Sequence, residues 1–269
     1  MQLIQANGLK FHVDTSGDPD GVPLVFSNSL GTDLRVWDKL IGLLPAGYRV
    51  IRYDTRGHGL SDCPPAPYGM GELVDDAAGL LDALDVRDAV FVGLSIGGMI
   101  GQGLAAERPD LVKALVLMDT AAKIGTGAMW QDRVDAVRAG GIEALEAAIL
   151  QRWFSAAFHE TAELALWRAM LCRTPVEGYA GCCEAIAHTD LWESTSRLRL
   201  PVLAMAGAED GATPPDLVRE TAALIRGAAF HVVPGVGHLP CVEAPRAVAE
   251  LLIGFLADLK AADTASTLP

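Results

Sequence analysis

Residues 88–98 read Asp88-Ala89-Val90-Phe91-Val92-Gly93-Leu94-Ser95-Ile96-Gly97-Gly98. The β-branched and aromatic run through Val92 predicts a buried strand, and the apolar spacing from Ile96 to Glu107 predicts a helix. Gly93-x-Ser95-x-Gly97 is then a strand-to-helix turn, so sharp that Ser95 sits in strained backbone geometry with its hydroxyl clear of the sheet. Only small residues at 93 and 97 avoid clashing in such a turn. A helix that begins at Ile96 also aims a backbone N–H and a positive dipole end at the place where negative charge develops in acyl transfer.

Working outward, similar apolar runs recur at Val22 to Ser27, Tyr48 to Tyr53, Val112 to Met118, Val202 to Gly207 and Ala229 to Val233, each bounded by Gly, Pro or Asp. Helix-period stretches lie between most of them: Asp33 to Leu44, Gly71 to Leu84, Ile96 to Glu107, Pro214 to Ile225 and Pro245 to Leu259. Strands alternating with helices predict a mostly parallel sheet covered on both faces. Leu3 to Ala6 and Leu9 to Thr15, joined by Asn7-Gly8, add an antiparallel hairpin at its edge and bring the count to eight strands. Residues 120–197 are Ala-rich, helical and without a comparable strand, which makes them a candidate inserted cap. The core is then 1–119 with 198–260, and the polar residues 261–269 read as a frayed tail. Four of the five tryptophans (Trp130, Trp153, Trp167, Trp192) fall in the cap, to fill its small core or to face a ligand.

The chain has 269 residues, 51% hydrophobic and 20% charged, so disorder is excluded. With 21 Lys+Arg against 34 Asp+Glu, the net charge of -13 repels nucleic acid and anionic lipid. No apolar run approaches the length of a membrane span. Met1 to Asn7 shows neither a basic start nor an apolar leader, so the expected location is the cytoplasm. Five cysteines without C-x-x-C spacing predict free thiols, because adjacent Cys182 and Cys183 could close only a strained ring.

A serine hydroxyl needs a base, and the base an orienting acid. Among six histidines, His238 lies in Val236-Gly237-His238-Leu239-Pro240, the loop after the last strand, where it can overhang the carboxyl edge of the sheet. His12 and His231 lie within strands, and His58 precedes the serine in the chain. The acid should leave the strand between cap and base, in Ala206-Gly207-Ala208-Glu209-Asp210-Gly211. Asp210 suits the tight exit better, with Glu209 the alternative. The order Ser95…Asp210…His238 is that of the α/β-hydrolase fold. Many hydrolases of that fold carry His-Gly where this chain has Asn28-Ser29. That alignment makes Leu30 the second oxyanion N–H donor beside Ile96, a one-residue slip being the alternative.

Several segments resemble the 3-oxoadipate enol-lactonases of the protocatechuate branch of aromatic catabolism: Ser27-Asn28-Ser29-Leu30-Gly31-Thr32, Arg52-Tyr53-Asp54-Thr55-Arg56-Gly57-His58-Gly59, Gly93-Leu94-Ser95-Ile96-Gly97-Gly98, and Arg173-Thr174-Pro175 with Gly178-Tyr179. The resemblance implies hydrolysis of an enol-lactone to 3-oxoadipate through an acyl-enzyme, with no metal and no cofactor. That small-molecule lactone carries a carboxylate, for which an acidic protein must supply a local cation. Arg133, Arg138, Arg152, Arg168, Arg173 and Arg197 are available in the cap. Trp130 and Arg133, three apart on one helical face, resemble a pair that lines the pocket in that family. The same triad would also serve a carboxylesterase or a cofactor-free perhydrolase or haloperoxidase, and a triad turned slow would leave a ligand receptor.

Overall fold

In the computed structural model, which describes residues 1–266, the apolar runs form β1 (Gln2–Ala6), β2 (Leu9–Gly17), β3 (Val22–Ser27), β4 (Tyr48–Tyr53), β5 (Ala89–Leu94), β6 (Val112–Met118), β7 (Val202–Gly207) and β8 (Ala229–Val233). They pair in the order β1-β2-β4-β3-β5-β6-β7-β8. The β1/β2 and β2/β4 pairs are antiparallel and the others parallel. Chain order reverses between β3 and β5, and the loops from the carboxyl ends of β3, β5, β6, β7 and β8 emerge on one edge, the usual place for a ligand in such a sheet. β5 starts one residue later than Asp88, which has a left-handed φ of 52°.

Helices differ from the sequence expectation at two ends of the chain. The stretch Asp33 to Leu44 divides into a 3-10 turn (Leu34–Trp37) and one short helix (Asp38–Ile41) that ends at Gly42. Asp33 Oδ1 accepts from the Arg35 N–H at 3.0 Å, and Leu34 N–H donates to Asp54 Oδ1 at 2.8 Å, so local anchors override the helical period. The last helix runs Pro245–Ser266, so the tail expected from residue 261 is helical through Ser266. Ala261, Ala262 and Ala265 favour that continuation, and Lys113 Nζ meets Asp263 at 3.0 Å. Residues 267–269 lie outside the described residues.

Between β6 and β7 the helices are Gly127–Gly140, Glu146–Trp153, Ala156–His159, Leu164–Cys172, Val176–Ala187 and Trp192–Ser196. Trp130, Trp153 and Trp167 are buried there, and Phe154 stacks on Phe158 with centroids 4.4 Å apart. All five cysteines are free, and burial pushes the Cys183 thiol up to about 12, far from thiolate chemistry.

The turn after β5 is held at φ 57°, ψ -118° at Ser95. Two contacts explain the glycines around it. A methyl group at Gly97 would lie 2.2 Å from the Ser27 carbonyl oxygen, and one at Gly93 would lie 2.3 Å from the Gly97 carbonyl oxygen. Both obstacles are backbone, which cannot swing away.

The loop after β3 is held from below. Asn28 Nδ2 donates to Tyr53 O at 2.8 Å and Asn28 Oδ1 accepts from Trp37 Nε1 at 2.7 Å. Gly31 N–H donates to His58 Nε2 at 2.9 Å. His58 Nε2 must therefore be unprotonated, and Nδ1–H faces Arg56 O at 3.2 Å. Burial holds the His58 pKa below the usual histidine value, against the pull of the Arg56 carbonyl and of Asp54 and Asp33.

Gly97→Ala costs at least about 3 kcal/mol in urea unfolding despite its better helix propensity, whereas Gly254→Ala, in the last helix with nothing within 4 Å, gains up to about 1 kcal/mol. Because the unfolded chain takes up a proton at His58 near pH 6.5 and the folded protein resists it, stability falls as pH drops below that value, by up to about 1.4 kcal/mol per pH unit. His58→Gln, whose amide oxygen can still accept from Gly31, loses that part of the slope when unfolding is measured between about pH 7 and 5.

Candidate active site

Each candidate side chain stands on a loop from the carboxyl edge of the sheet. Ser95 follows β5: its N–H donates to Met118 O at 2.9 Å, and its carbonyl accepts from Thr120 Oγ1 at 2.6 Å and from the N–H groups of Gly98 and Met99. Asp210 follows β7 and is saturated with donors. Oδ1 accepts from the Ala212 and Thr213 N–H groups at 2.7 and 3.0 Å, and Oδ2 from Thr213 Oγ1 at 2.7 Å. His238 follows β8, with Nδ1 2.9 Å from Asp210 Oδ2. Asp210 is an acceptor only, so Nδ1 carries the proton and Nε2 is left to act as base. Glu209 is exposed and makes no such contact.

Burial alone would raise the Asp210 carboxyl, but the charge and hydrogen bond of His238, with Thr213 and the Ala212 N–H, outweigh it and hold the pKa down at about 2. Asp210 is thus an anion near neutral pH, suited to steadying an imidazolium. Asp119, after β6, is fully buried beside it.

Ser95 and His238 open onto one cavity of about 200 Å³, walled also by Ser29, Leu30, Ile124, Met129, Trp130, Arg133, Arg152, Trp153, Tyr179, Thr213 and Leu217. That is room for roughly seven waters, hence for a compact ligand. Larger hollows lie elsewhere, one of about 610 Å³ around His12, Arg52 and Arg173, away from the serine. Among the described residues, no protein acceptor engages the backbone N–H of Leu30 or of Ile96. Ile96 opens its helix, where the first N–H groups have no intrahelical partner.

The Arg133 guanidinium lies 4.9 Å from the Trp130 ring centroid, and the Trp130 indole donates to Ile124 O at 2.6 Å. Arg152, one of six cap arginines in sequence, stands in the same wall. Its Nε donates to Gly211 O at 3.1 Å, and burial, then the Arg133 charge, pushes its pKa below the ordinary arginine value. Neither arginine pairs with a carboxylate among the described residues. Arg138 and Arg168 are instead neutralised by Glu184 and Glu146, Arg197 pairs with Glu193, and Arg173 is exposed at the other hollow.

The helix Glu146–Trp153 grips the loops that carry Asp210 and His238. Arg152 O accepts from the Gly211 N–H at 3.2 Å, and Trp153 O from the His238 N–H at 2.8 Å. Glu243 completes the clasp, taking Gly237 N–H at 2.7 Å and Ser155 Oγ at 2.5 Å. None of these partners announces itself in sequence, because each contact is created by the packing of cap on core.

Among known proteins, a 3-oxoadipate enol-lactonase of Acinetobacter baylyi is 39% identical over 212 residues, covering 78% of this chain and 79% of its own. A second 3-oxoadipate enol-lactonase of that organism is 32% identical over 262 residues, covering 97% and 98%. The crystal structure of the enol-lactonase from Burkholderia xenovorans LB400 superposes with a TM-score of 0.92 at 37% identity, covering 95% of this chain and 100% of that one. Residues 22–245 match the family described as alpha/beta hydrolase fold. No helix among the described residues is long and apolar enough to cross a membrane. With the family match spanning most of its length, the chain belongs to the alpha/beta hydrolase fold family.

Proposed function

We propose that this protein hydrolyses 3-oxoadipate enol-lactone to 3-oxoadipate, with Ser95 as nucleophile, His238 as general base and acid, and Asp210 as the orienting anion. Ser95 Oγ attacks the lactone carbonyl as His238 Nε2 takes its proton, and the resulting imidazolium is steadied by Asp210. The tetrahedral oxyanion accepts the Leu30 and Ile96 N–H groups, worth about 3 kcal/mol per donor at such sites. Collapse breaks the ring C–O bond and expels an enolate, which is protonated and becomes the ketone while still attached through the acyl chain. Water, deprotonated by His238, then releases the diacid and restores Ser95.

Two guanidinium groups without carboxylate partners, facing the same small cavity as Ser95, carry the substrate assignment. In a protein of net charge -13, leaving two half-buried cations unpaired is unfavourable unless an anion completes them. A lactone with a carboxylate does so, and a neutral ester does not. The likeness to two enol-lactonases supports the same substrate.

The decisive assay is turnover of the enol-lactone, generated enzymatically from its carboxymuconolactone precursor and followed by loss of ultraviolet absorbance. Ser95→Ala lowers kcat by at least about 10⁴-fold. Brisk cleavage of neutral short-chain esters with negligible lactone turnover would remove the substrate assignment and leave an esterase. Arg133→Met raises KM for the lactone by about tenfold or more, as expected for a lost charge-assisted contact, while neutral-ester hydrolysis changes by less than about threefold. Equal losses on both substrates would mean that Arg133 shapes the cavity without reading the carboxylate.

A further inference from the structure

The triad as described uses one acid, yet a second is built against it. Asp119 ends β6 in the left-handed region, at φ 45°, with no exposure to solvent. Its N–H donates to Met205 O at 2.9 Å and its Oδ1 accepts the Gly207 N–H at 2.7 Å, so its backbone and one carboxyl oxygen are bonded to β7, the strand that delivers Asp210. The other oxygen, Oδ2, is buried with no donor against it. A carboxyl oxygen of Asp119, one of Asp210 and a ring nitrogen of His238 all lie within 4.8 Å of one another.

Two buried carboxyl groups side by side cannot both be ionised. Asp210 has four donors and is the anion. Asp119 has one, and burial, then the Asp210 charge, holds it well above the usual carboxylate range. The remaining groups that face it favour the same state: Glu243 adds negative charge, and the Cys241 thiol is kept neutral by burial. Only His238 could draw an anion from it, and His238 is engaged by Asp210.

We propose that Asp119 is a second acid of the site: a positioning residue that holds a proton beside Asp210 and becomes the anion facing His238 when Asp210 cannot carry the charge. When Asp210 is replaced by a neutral residue, the Asp119 proton is lost to solvent by way of His238. The carboxylate it leaves then steadies the imidazolium from the β6 side. In the intact protein the protonated group adds no second charge near His238.

This inference rests on the serine-hydrolase reading, and a double-mutant cycle separates the two. Asp119→Asn, Asp210→Ala and the double variant are assayed on the lactone and on a neutral nitrophenyl ester from about pH 5 to 9, with Ser95→Ala as control. Asp119→Asn keeps the shape of the residue and its acceptor for Gly207. In the wild-type background it costs less than about fivefold in kcat/KM and leaves the acid limb of the pH profile in place, but in the Asp210→Ala background it removes at least about tenfold of the residual rate. The same factor in both backgrounds would reduce Asp119 to a packing residue and overturn the proposal. So would a fall of about one pH unit in the acid limb on Asp119→Asn alone, since it would mean that a charge had been removed. Should the double variant not fold, that single-variant profile decides. Absence of any Ser95-dependent hydrolysis in the wild type would sink the hydrolase reading and this inference with it, whereas Ser95-dependent turnover with additive losses sinks this inference alone.

Discussion

Everything at this site depends on holding one non-glycine residue where its backbone does not want to be. Ser95 at φ 57°, ψ -118° carries a local cost of about 1–3 kcal/mol. Its neighbours over-determine it: an N–H bond to β6, three donors on its carbonyl, and a helix start wedged so closely against the loop after β3 that no Cβ fits at Gly97. The same wedge sets the start of the helix at Ile96 against the backbone of Ser27 and Asn28, the residues that lead to Leu30. The strain at Ser95 and the unbonded N–H at the start of its helix are thus one geometric event, which is why a single sequence stretch could announce so much.

The inserted helices do more than cover the sheet. Arg152 and Trp153 give their carbonyls to the acid and base loops, and Glu243 ties Gly237 to Ser155. The helix whose side chain supplies a cavity cation therefore also supplies the backbone that fixes Asp210 and His238. A displacement of that helix would move cation, acid and base together. The cavity wall and the Asp210–His238 geometry share a mechanical part, so substitutions at the end of this helix cannot be read as cavity effects alone.

What the sequence disclosed and what it withheld divide along a physical line. Strands, the turn at Ser95, and the placing of Ser95, Asp210 and His238 on loops from one edge of the sheet depend on local pattern and on loops leaving identifiable strand ends, and these were legible. Asn28 reads as a counterpart of a loop histidine, yet in the structure it cross-ties Tyr53 and Trp37, a contact between elements that no local pattern encodes. Asp119 gave no sign because its proximity to Asp210 is produced by the pairing of β6 with β7 across residues far apart in the chain. Arg152 was one arginine among six until packing neutralised Arg138, Arg168 and Arg197 and left it facing the cavity. The last helix outran its apolar period because alanine propensity and an ion pair to Lys113 continue it without burial.

The distribution of charge also has a consequence for turnover. Hydrolysis of a lactone that bears one carboxylate creates a second, so on the lactonase reading the product is a dianion inside a protein of net charge -13. Arg133 and Arg152 can offset charge at the cavity wall, but the anion Asp210 lies below, and the wider protein field opposes accumulation of negative charge. A protonated Asp119 matters in that setting, since a second buried carboxylate beside Asp210 would weaken the hold on a substrate that must approach Ser95 with its own carboxylate intact. On that reading the cations hold the substrate's carboxylate, while Asp210 and the wider field oppose the second charge that the reaction makes and so favour departure of the product.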